Sequence, residues 1–286
     1  MKRLYCVPGG GTTSILFIKW QKLLGEEIKV EYLDIPGRGY LSKKPEQESM
    51  RGIAEVMADV IEKKSADEPY LIFGYCFGAV AAYETCRVLK ERGFHMPERL
   101  FVCGSYSPTP DKEIERILGC SRLRNEIQRM FYHMFPGFLF KDEKVQREVC
   151  SAYMKALYSI YDRKGVIEDV STDDKALAGL KGVDAESIEY IVELANNYFG
   201  NYVKDEKVLL SYCNDRSDKE KLPVPVTVIY GRDDDIIGDE WKKWQEFTDF
   251  EMTYHEIPFD HFCLVDDMDL ILNIVADTEG VKNEQS

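Results

Sequence analysis

No stretch of the 286-residue chain approaches the run of about 18 apolar residues that a transmembrane helix needs, so no segment reads as membrane-spanning. The N-terminal segment MKRLYCVPGGG has basic residues but only a short apolar run before its glycines, and so lacks the core of a secretory signal. The eight cysteines (Cys6, Cys76, Cys86, Cys103, Cys120, Cys150, Cys213 and Cys263) form no C-x-x-C pair and scatter through mostly apolar segments. That usage predicts reduced thiols in a cytoplasmic protein, without disulfides or a zinc site. Gly9-Gly10-Gly11 completes neither a G-x-G-x-x-G nor a G-K-[ST] spacing, which argues against a nucleotide phosphate loop. Positive charge is also short. Lys plus Arg number 37 against 51 Asp plus Glu, a net charge of -14, so neither nucleic acid nor an anionic membrane surface is expected as the main partner.

What is present is an ordinary globular composition, 44% apolar and 31% charged, in a chain long enough to bury a large core. The first hundred residues alternate two patterns. RLYCVPG, EIKVEYLDIPG, PYLIFGYC and RLFVCGSYSP read as strands. Between them, SILFIKWQKLL reads as a helix capped by Ser14, SMRGIAEVMADVIEKK has its apolar residues at helical spacing, and AVAAYETCRVLKERG is a helix ended by Gly93. Fully apolar strands alternating with helices imply a parallel sheet covered on both faces. The alternation stops near Ser107. RLRNEIQRMFYHMFPGFLF, KVQREVCSAYMKALYSIY and AESIEYIVELANNYFGNYV are helical in period and rich in aromatics. It resumes with VPVTVIYG, DEWKKWQEFT, EMTYHEIPF and a closing helix in DLILNIVADTEG, and VKNEQS is expected to fray. The expected organisation is an α/β core, residues 1–107 and 221–286, interrupted by a helical insertion, residues 108–220.

Chemistry concentrates in Gly74-Tyr75-Cys76-Phe77-Gly78, where a strand turns into a helix. This is the G-x-S-x-G nucleophile-elbow pattern with cysteine in the serine position, and the helix N-terminus there would favour a thiolate. The pentapeptide alone fits a buried structural cysteine equally well. Two further residues bear on the choice: Asp234 lies just beyond the strand VTVIYG, and His261 just beyond the strand ending EIPF. A doubly wound sheet delivers strand ends to one edge, and Cys76, Asp234, His261 is the chain order of α/β-hydrolase triads. In such a triad His261 would take the thiol proton and later activate water, while Asp234 would hold its tautomer. Asp233 and Asp235 flank Asp234, so its selection rests on spacing. His95 and His255 fall in a loop and inside a strand pattern, and His133 falls in the insertion. After the first strand, Pro8 to Thr13 reads as an oxyanion loop, one glycine N–H pairing with that of Phe77.

Five segments together resemble the stand-alone (type II) thioesterases of nonribosomal peptide and polyketide synthesis. LYCVPGGGTTSILFIKW is similar to their F-P-H-A-G-G-S opening, and YLDIPGRGYLSKKP to L-P-G-R-G-x-R-x-x-E-P. FGYCFGAVAAYETCRVLKERG is similar to F-G-H-S-M-G-A-x-x-A-Y-E-x-A-R-x-L, while PVTVIYGRDDDII and DHFCLVDDMDLILNIVADT resemble the aspartate and histidine segments. The resemblance implies an α/β-hydrolase fold, a mostly parallel doubly wound sheet with an inserted helical lid. It also implies Cys76 as nucleophile, Asp234 and His261 as its relay, and the N–H groups of Gly10 and Phe77 as the oxyanion hole. The implied reaction is hydrolysis of acyl or peptidyl thioesters on the phosphopantetheine arm of carrier proteins, with no cofactor and no metal of the protein's own.

Four positions depart from the family pattern. Gly9 and Tyr75 stand where it has histidine, Asp260 replaces a glycine, and Cys76 replaces the serine. Sulfur leaves two other readings open: an acyltransferase or cyclase that passes the acyl group to an amine or alcohol, and a non-catalytic binding protein of this fold. A monomer is expected, docking its carrier partner through apolar insertion residues and a few local cations, because the family's carriers are acidic too. The insertion aromatics Phe131, Tyr132, Phe135, Phe138 and Phe140 either line an acyl channel or pack its helices.

Overall fold

Along β1 (Lys2–Val7) every residue from Leu4 to Val7 is buried, as a strand covered on both faces requires. Leu4 and Cys6 join one apolar layer with Phe17, Trp20, Phe73 and the closing helix, whereas Tyr5 points the other way, its hydroxyl 2.8 Å from Ser65 Oγ. In this computed structural model residues 2–66, 68–108, 131–132, 137–164, 170–180, 182–215, 219–234 and 236–280 are described. β1, β2 (Ile28–Tyr32), β3 (Tyr70–Tyr75), β4 (Arg99–Cys103), β5 (Val226–Gly231) and β6 (Thr253–Ile257) form one sheet in the order β2-β1-β3-β4-β5-β6, all pairs parallel. The chain steps outward from β1 to β2, then returns to β3 and proceeds in the opposite direction. The switch point therefore lies between β1 and β3, where the glycine loop and the Cys76 turn leave the sheet.

The helices follow the apolar spacing. α1 (Trp20–Leu24) and α6 (Met268–Thr278) cover one face of the sheet; α2 (Met50–Lys64) and α3 (Phe77–Glu91) pack together on the other. Ser49 caps α2, its hydroxyl accepting from Gly52 N–H at 3.1 Å. The expected helix capped by Ser14 forms differently. A 3-10 turn, Ser14–Phe17, precedes the short α1, and the Ser14 side chain caps nothing. The Ser14 N–H is taken by the buried Asp34 carboxylate at 2.5 Å, so a neighbouring loop anchors the turn. DEWKKWQEFT likewise lies in a 3-10 run, Gly238–Phe247.

The chain divides into two compact units, residues 1–116 with 204–286, and residues 117–203. In the second unit, α4 (Glu143–Lys164) buries Val149, Cys150, Tyr153, Met154 and Leu157 at helical spacing. The N-terminal part of α5 (Ala185–Asn214) does the same with Ile191, Ala195, Tyr198 and Phe199. The Tyr153 hydroxyl donates to Asn196 Oδ1 at 2.5 Å, and Asn196 also bonds Val170 through its N–H and C=O. Phe131 stacks on Tyr153 at 5.5 Å and lies buried, so this aromatic serves packing. The Tyr132 hydroxyl donates to Glu143. Phe135, His133, Cys120, Asp235, the Phe138 side chain, most of the segment 122–140 and the tail 281–286 lie outside the described residues. The last eleven residues of α5, from Lys204, belong to the first unit, where Tyr212 donates to Glu84 of α3 at 2.6 Å.

Candidate active site

The turn after β3 is as tight as the pentapeptide demands. Cys76 has φ 51° and ψ -121°, the one non-glycine residue with positive φ among those described. A Cβ on Gly74 would stand 2.4 Å from Ala79 Cα, and one on Gly78 would stand 2.4 Å from the Pro8 carbonyl oxygen. Both glycines are needed for close approach: the first lets α3 start against its own strand, the second lets the glycine loop lie against α3. The strained φ lifts Cys76 out of the sheet edge and leaves it half-buried. Every other described cysteine is buried.

A second close approach brings Asp234 and His261 together. The loop after β6 crosses directly over the end of β5, where a Cβ on Gly231 would meet the Phe259 carbonyl oxygen at 2.2 Å. Asp233 N–H donates to that same oxygen at 3.1 Å and turns its own side chain to solvent. Asp234 turns inward. One carboxylate oxygen accepts from Ile236 and Ile237 N–H at 3.1 and 3.0 Å, and the other lies 3.0 Å from His261 Nδ1. His261 Nε2 then lies 3.3 Å from Cys76 Sγ. Asp234 accepts the Nδ1–H in either protonation state, which leaves Nε2 to exchange a proton with the sulfur. Burial works against the imidazolium, but the Asp234 carboxylate and then Cys76 outweigh it and raise the His261 pKa well above its ordinary value.

Phe77 opens α3, so its N–H has no intrahelical acceptor. The bonds of the glycine loop run through Gly9, Gly11 and Thr12: Thr12 N–H donates to Gly9 O at 3.2 Å, and Gly11 N–H donates to Asp205 Oδ2 at 2.8 Å. The Gly10 N–H takes no part in them. Gly9 itself lies against the elbow, since a Cβ there would be 3.5 Å from the Cys76 Cβ. The structure thus brings Cys76, Asp234, His261 and the loop of Gly10 to the switch-point edge of one unit. His95 sits elsewhere, bonded to Ser65 O, and His255 stays in β6.

Gly9 and Tyr75 are matched in space. A Cβ on Gly9 would lie 3.0 Å from the Tyr75 ring, so the aromatic at position 75 occupies the room that a side chain at position 9 would need. The buried Tyr75 hydroxyl donates to the His261 carbonyl at 2.7 Å, bracing the loop that carries the imidazole. Sequence reading missed this brace. It also missed Asp205 and Glu206 of α5 and the role of Arg38, which forms an ion pair with Asp205. Nothing in the spacing of a helix predicts that two of its acids meet a distant glycine loop. Among the described residues no group of three or more side chains is arranged to hold a metal, and no helix is long and apolar enough to cross a membrane.

A parallel sheet with an acute strand-to-helix turn, and with a thiol, an imidazole and a carboxylate converging at its switch-point edge, defines the α/β-hydrolase class. Within that class the chain belongs to the thioesterase domain family, whose model matches residues 2–278, and it is a thioester hydrolase by family. It is 24% identical over 266 residues to the gramicidin S biosynthesis protein GrsT of Aneurinibacillus migulanus, covering 92% of this chain and 82% of that protein. It is 21% identical over 281 residues to the medium-chain S-acyl fatty acid synthase thioesterase of Anas platyrhynchos, covering 98% and 92%. Among solved structures it is similar in fold to the RedJ thioesterase of the prodiginine pathway in Streptomyces coelicolor, with TM-score 0.65, 24% identity, and 96% and 85% of the two chains covered.

Proposed function

We propose that the protein hydrolyses acyl or peptidyl thioesters from the phosphopantetheine arm of carrier proteins, as a type II thioesterase that releases stalled or mis-primed chains. The observation that carries the reading is the relay at the sheet edge, with His261 Nε2 3.3 Å from Cys76 Sγ and Nδ1 3.0 Å from Asp234. Sγ attacks the thioester carbonyl while His261 holds the thiol proton. The resulting oxyanion is met by the Phe77 and Gly10 N–H groups, and collapse expels the phosphopantetheine sulfur, which takes the proton from Nε2. Water, deprotonated by the same nitrogen, then cleaves the Cys76 acyl thioester. The protein supplies every group in this sequence, and phosphopantetheine arrives with the substrate. Similarity to a gramicidin S biosynthesis protein and to an S-acyl fatty acid synthase thioesterase supports acyl substrates made by a synthase.

With a net charge of -14, docking to an acidic carrier is expected to be apolar. Exposed Ile15, Ile18 and Tyr40 at a surface cavity of about 290 Å³ beside the glycine loop support that reading, as do exposed Tyr190 and Leu194 on the N-terminal part of α5.

The sulfur at position 76 favours a second reading. Exchange of one thioester for another is nearly isoenergetic, so the acyl-enzyme stays reactive toward amines and alcohols. Incubation with a panel of acyl-loaded carrier proteins, read by intact-mass spectrometry, tests the main proposal: an acyl adduct on Cys76 followed by free acid is expected. No adduct on wild type, or undiminished hydrolysis by Cys76→Ala, would overturn it. Amide products formed in added amine would favour acyl transfer instead.

A further inference from the structure

α5 brings two consecutive acids to the first unit, and they are treated in opposite ways. Asp205 is buried and partnered, its Oδ2 accepting from Gly11 N–H at 2.8 Å and pairing with Arg38. Glu206 is also buried, at 9% exposure, yet its Oε2 is sealed from solvent with no hydrogen-bond partner, and neither oxygen has one among the described residues. A carboxyl without partners inside a protein is costly, which makes it a position where function outweighs stability.

The groups facing Glu206 electrostatically are Asp205 and Cys213 on its own helix, His261 and Tyr106. His261, whose Nε2 is 3.3 Å from Cys76 Sγ, acts electrostatically on Glu206, so the acid belongs to the neighbourhood of the relay. The one cation-forming group in that set, His261, is already held by Asp234, and Arg38 is taken by Asp205. Burial first, then Asp205, push the Glu206 pKa up to about 8, with His261 opposing. Without a cation beside it the carboxyl is therefore mostly protonated at neutral pH.

Resting on the thioesterase reading above, we infer that Glu206 is the counter-ion for an ammonium group on the acyl moiety, so that the site selects α-aminoacyl thioesters over plain acyl ones. An ammonium brings three donors and the missing positive charge to a carboxylate that has neither. As it enters, the Glu206 proton leaves to solvent and the ammonium keeps its own. The neighbouring Asp205 adds to the negative field but has its own counter-ion in Arg38, which Glu206 lacks. A plain acyl chain would instead leave the carboxyl unpaired and neutral.

The test uses two thioesters of N-acetylcysteamine with nearly the same shape, L-alanyl and isobutyryl, which differ by an ammonium in place of a methyl. In wild type the alanyl substrate is expected to have the higher kcat/KM. In Glu206→Gln the alanyl-to-isobutyryl ratio of kcat/KM is expected to fall about 10- to 100-fold, the range for losing one charged hydrogen bond. Glu206→Leu, which removes the unpaired acid, should fold with at least wild-type Tm and show the same fall. A ratio that stays put in either folded variant overturns the inference, as does a large loss of Tm in both, which would make Glu206 a structural residue. If wild type cleaves isobutyryl and ignores alanyl, the inference falls while the thioesterase reading stands. If it cleaves neither and Cys76 is not acylated, the thioesterase reading falls and takes the inference with it.

Discussion

Replacing Gly78 by alanine separates stability from catalysis at this site. The new Cβ would stand 2.4 Å from the Pro8 oxygen and 2.5 Å from the Val7 oxygen, both backbone atoms. Ordinary contact needs about 3.5 Å, so the loop after β1 must retreat by about 1 Å. Gly78 lies within α3, where alanine in open space would add about 0.5–1 kcal/mol, while overpacking costs about 1–3 kcal/mol. The net loss of about 1–2 kcal/mol should lower Tm by a few degrees and leave the protein folded. The retreating loop carries Gly10, and loss of one oxyanion donor reduces kcat by about 10²–10³. The assay is thioester hydrolysis with Tm measured in parallel. Gly200→Ala is the control: its Cβ meets nothing within 4 Å on α5, so it should gain about 0.5–1 kcal/mol. If Gly78→Ala keeps kcat within about threefold of wild type, the loop does not supply an oxyanion donor.

Iodoacetamide should alkylate Cys76 ahead of every other described cysteine, because it alone is not buried and burial pushes the Cys150 and Cys213 thiols up to about 12; earlier labelling of a buried thiol on peptide mapping would contradict the exposure argument. Asp234→Asn tests the relay through pH. Because the folded His261 pKa is raised above its ordinary 6.5, the stabilisation it contributes is complete below that pH and is lost as pH rises through the raised value. The Tm gap between wild type and Asp234→Asn should therefore be full at pH 6.5 and shrink as pH rises through the raised value, and a gap that widens with pH above 6.5 would refute the assignment. Tyr75→Phe leaves the buried His261 carbonyl without its donor at 2.7 Å, which should cost about 1–3 kcal/mol in urea unfolding. Identical unfolding curves would show that the brace carries no energy.

Local sequence determined much of this protein. Apolar strands alternating with amphipathic helices require a parallel sheet covered on both faces, because each strand must bury both its sides. Gly74 and Gly78 mark the acute turn at Cys76, since no larger residue fits where strand and helix touch. That Cys76, an aspartate run at 233–235 and His261 each follow an apolar strand is legible from periodicity. Ser14 shows the limit of such reasoning: it has the residue type and position of a helix cap, but a buried aspartate twenty residues away claims its backbone N–H instead.

What only the tertiary structure decided are the choices that depend on close approach between distant segments. Asp234 rather than Asp233 turns inward because the β6 loop crosses over Gly231 and takes the Asp233 N–H. Gly9 and Tyr75 prove to be neighbours that leave no room for a side chain at position 9, though 66 residues apart in the chain. Asp205 reaches the glycine loop and Glu206 is left unpaired because a helix presents successive residues in different directions, and where each one arrives is set by what the helix packs against. Periodicity is a local property of the chain; partnership is not.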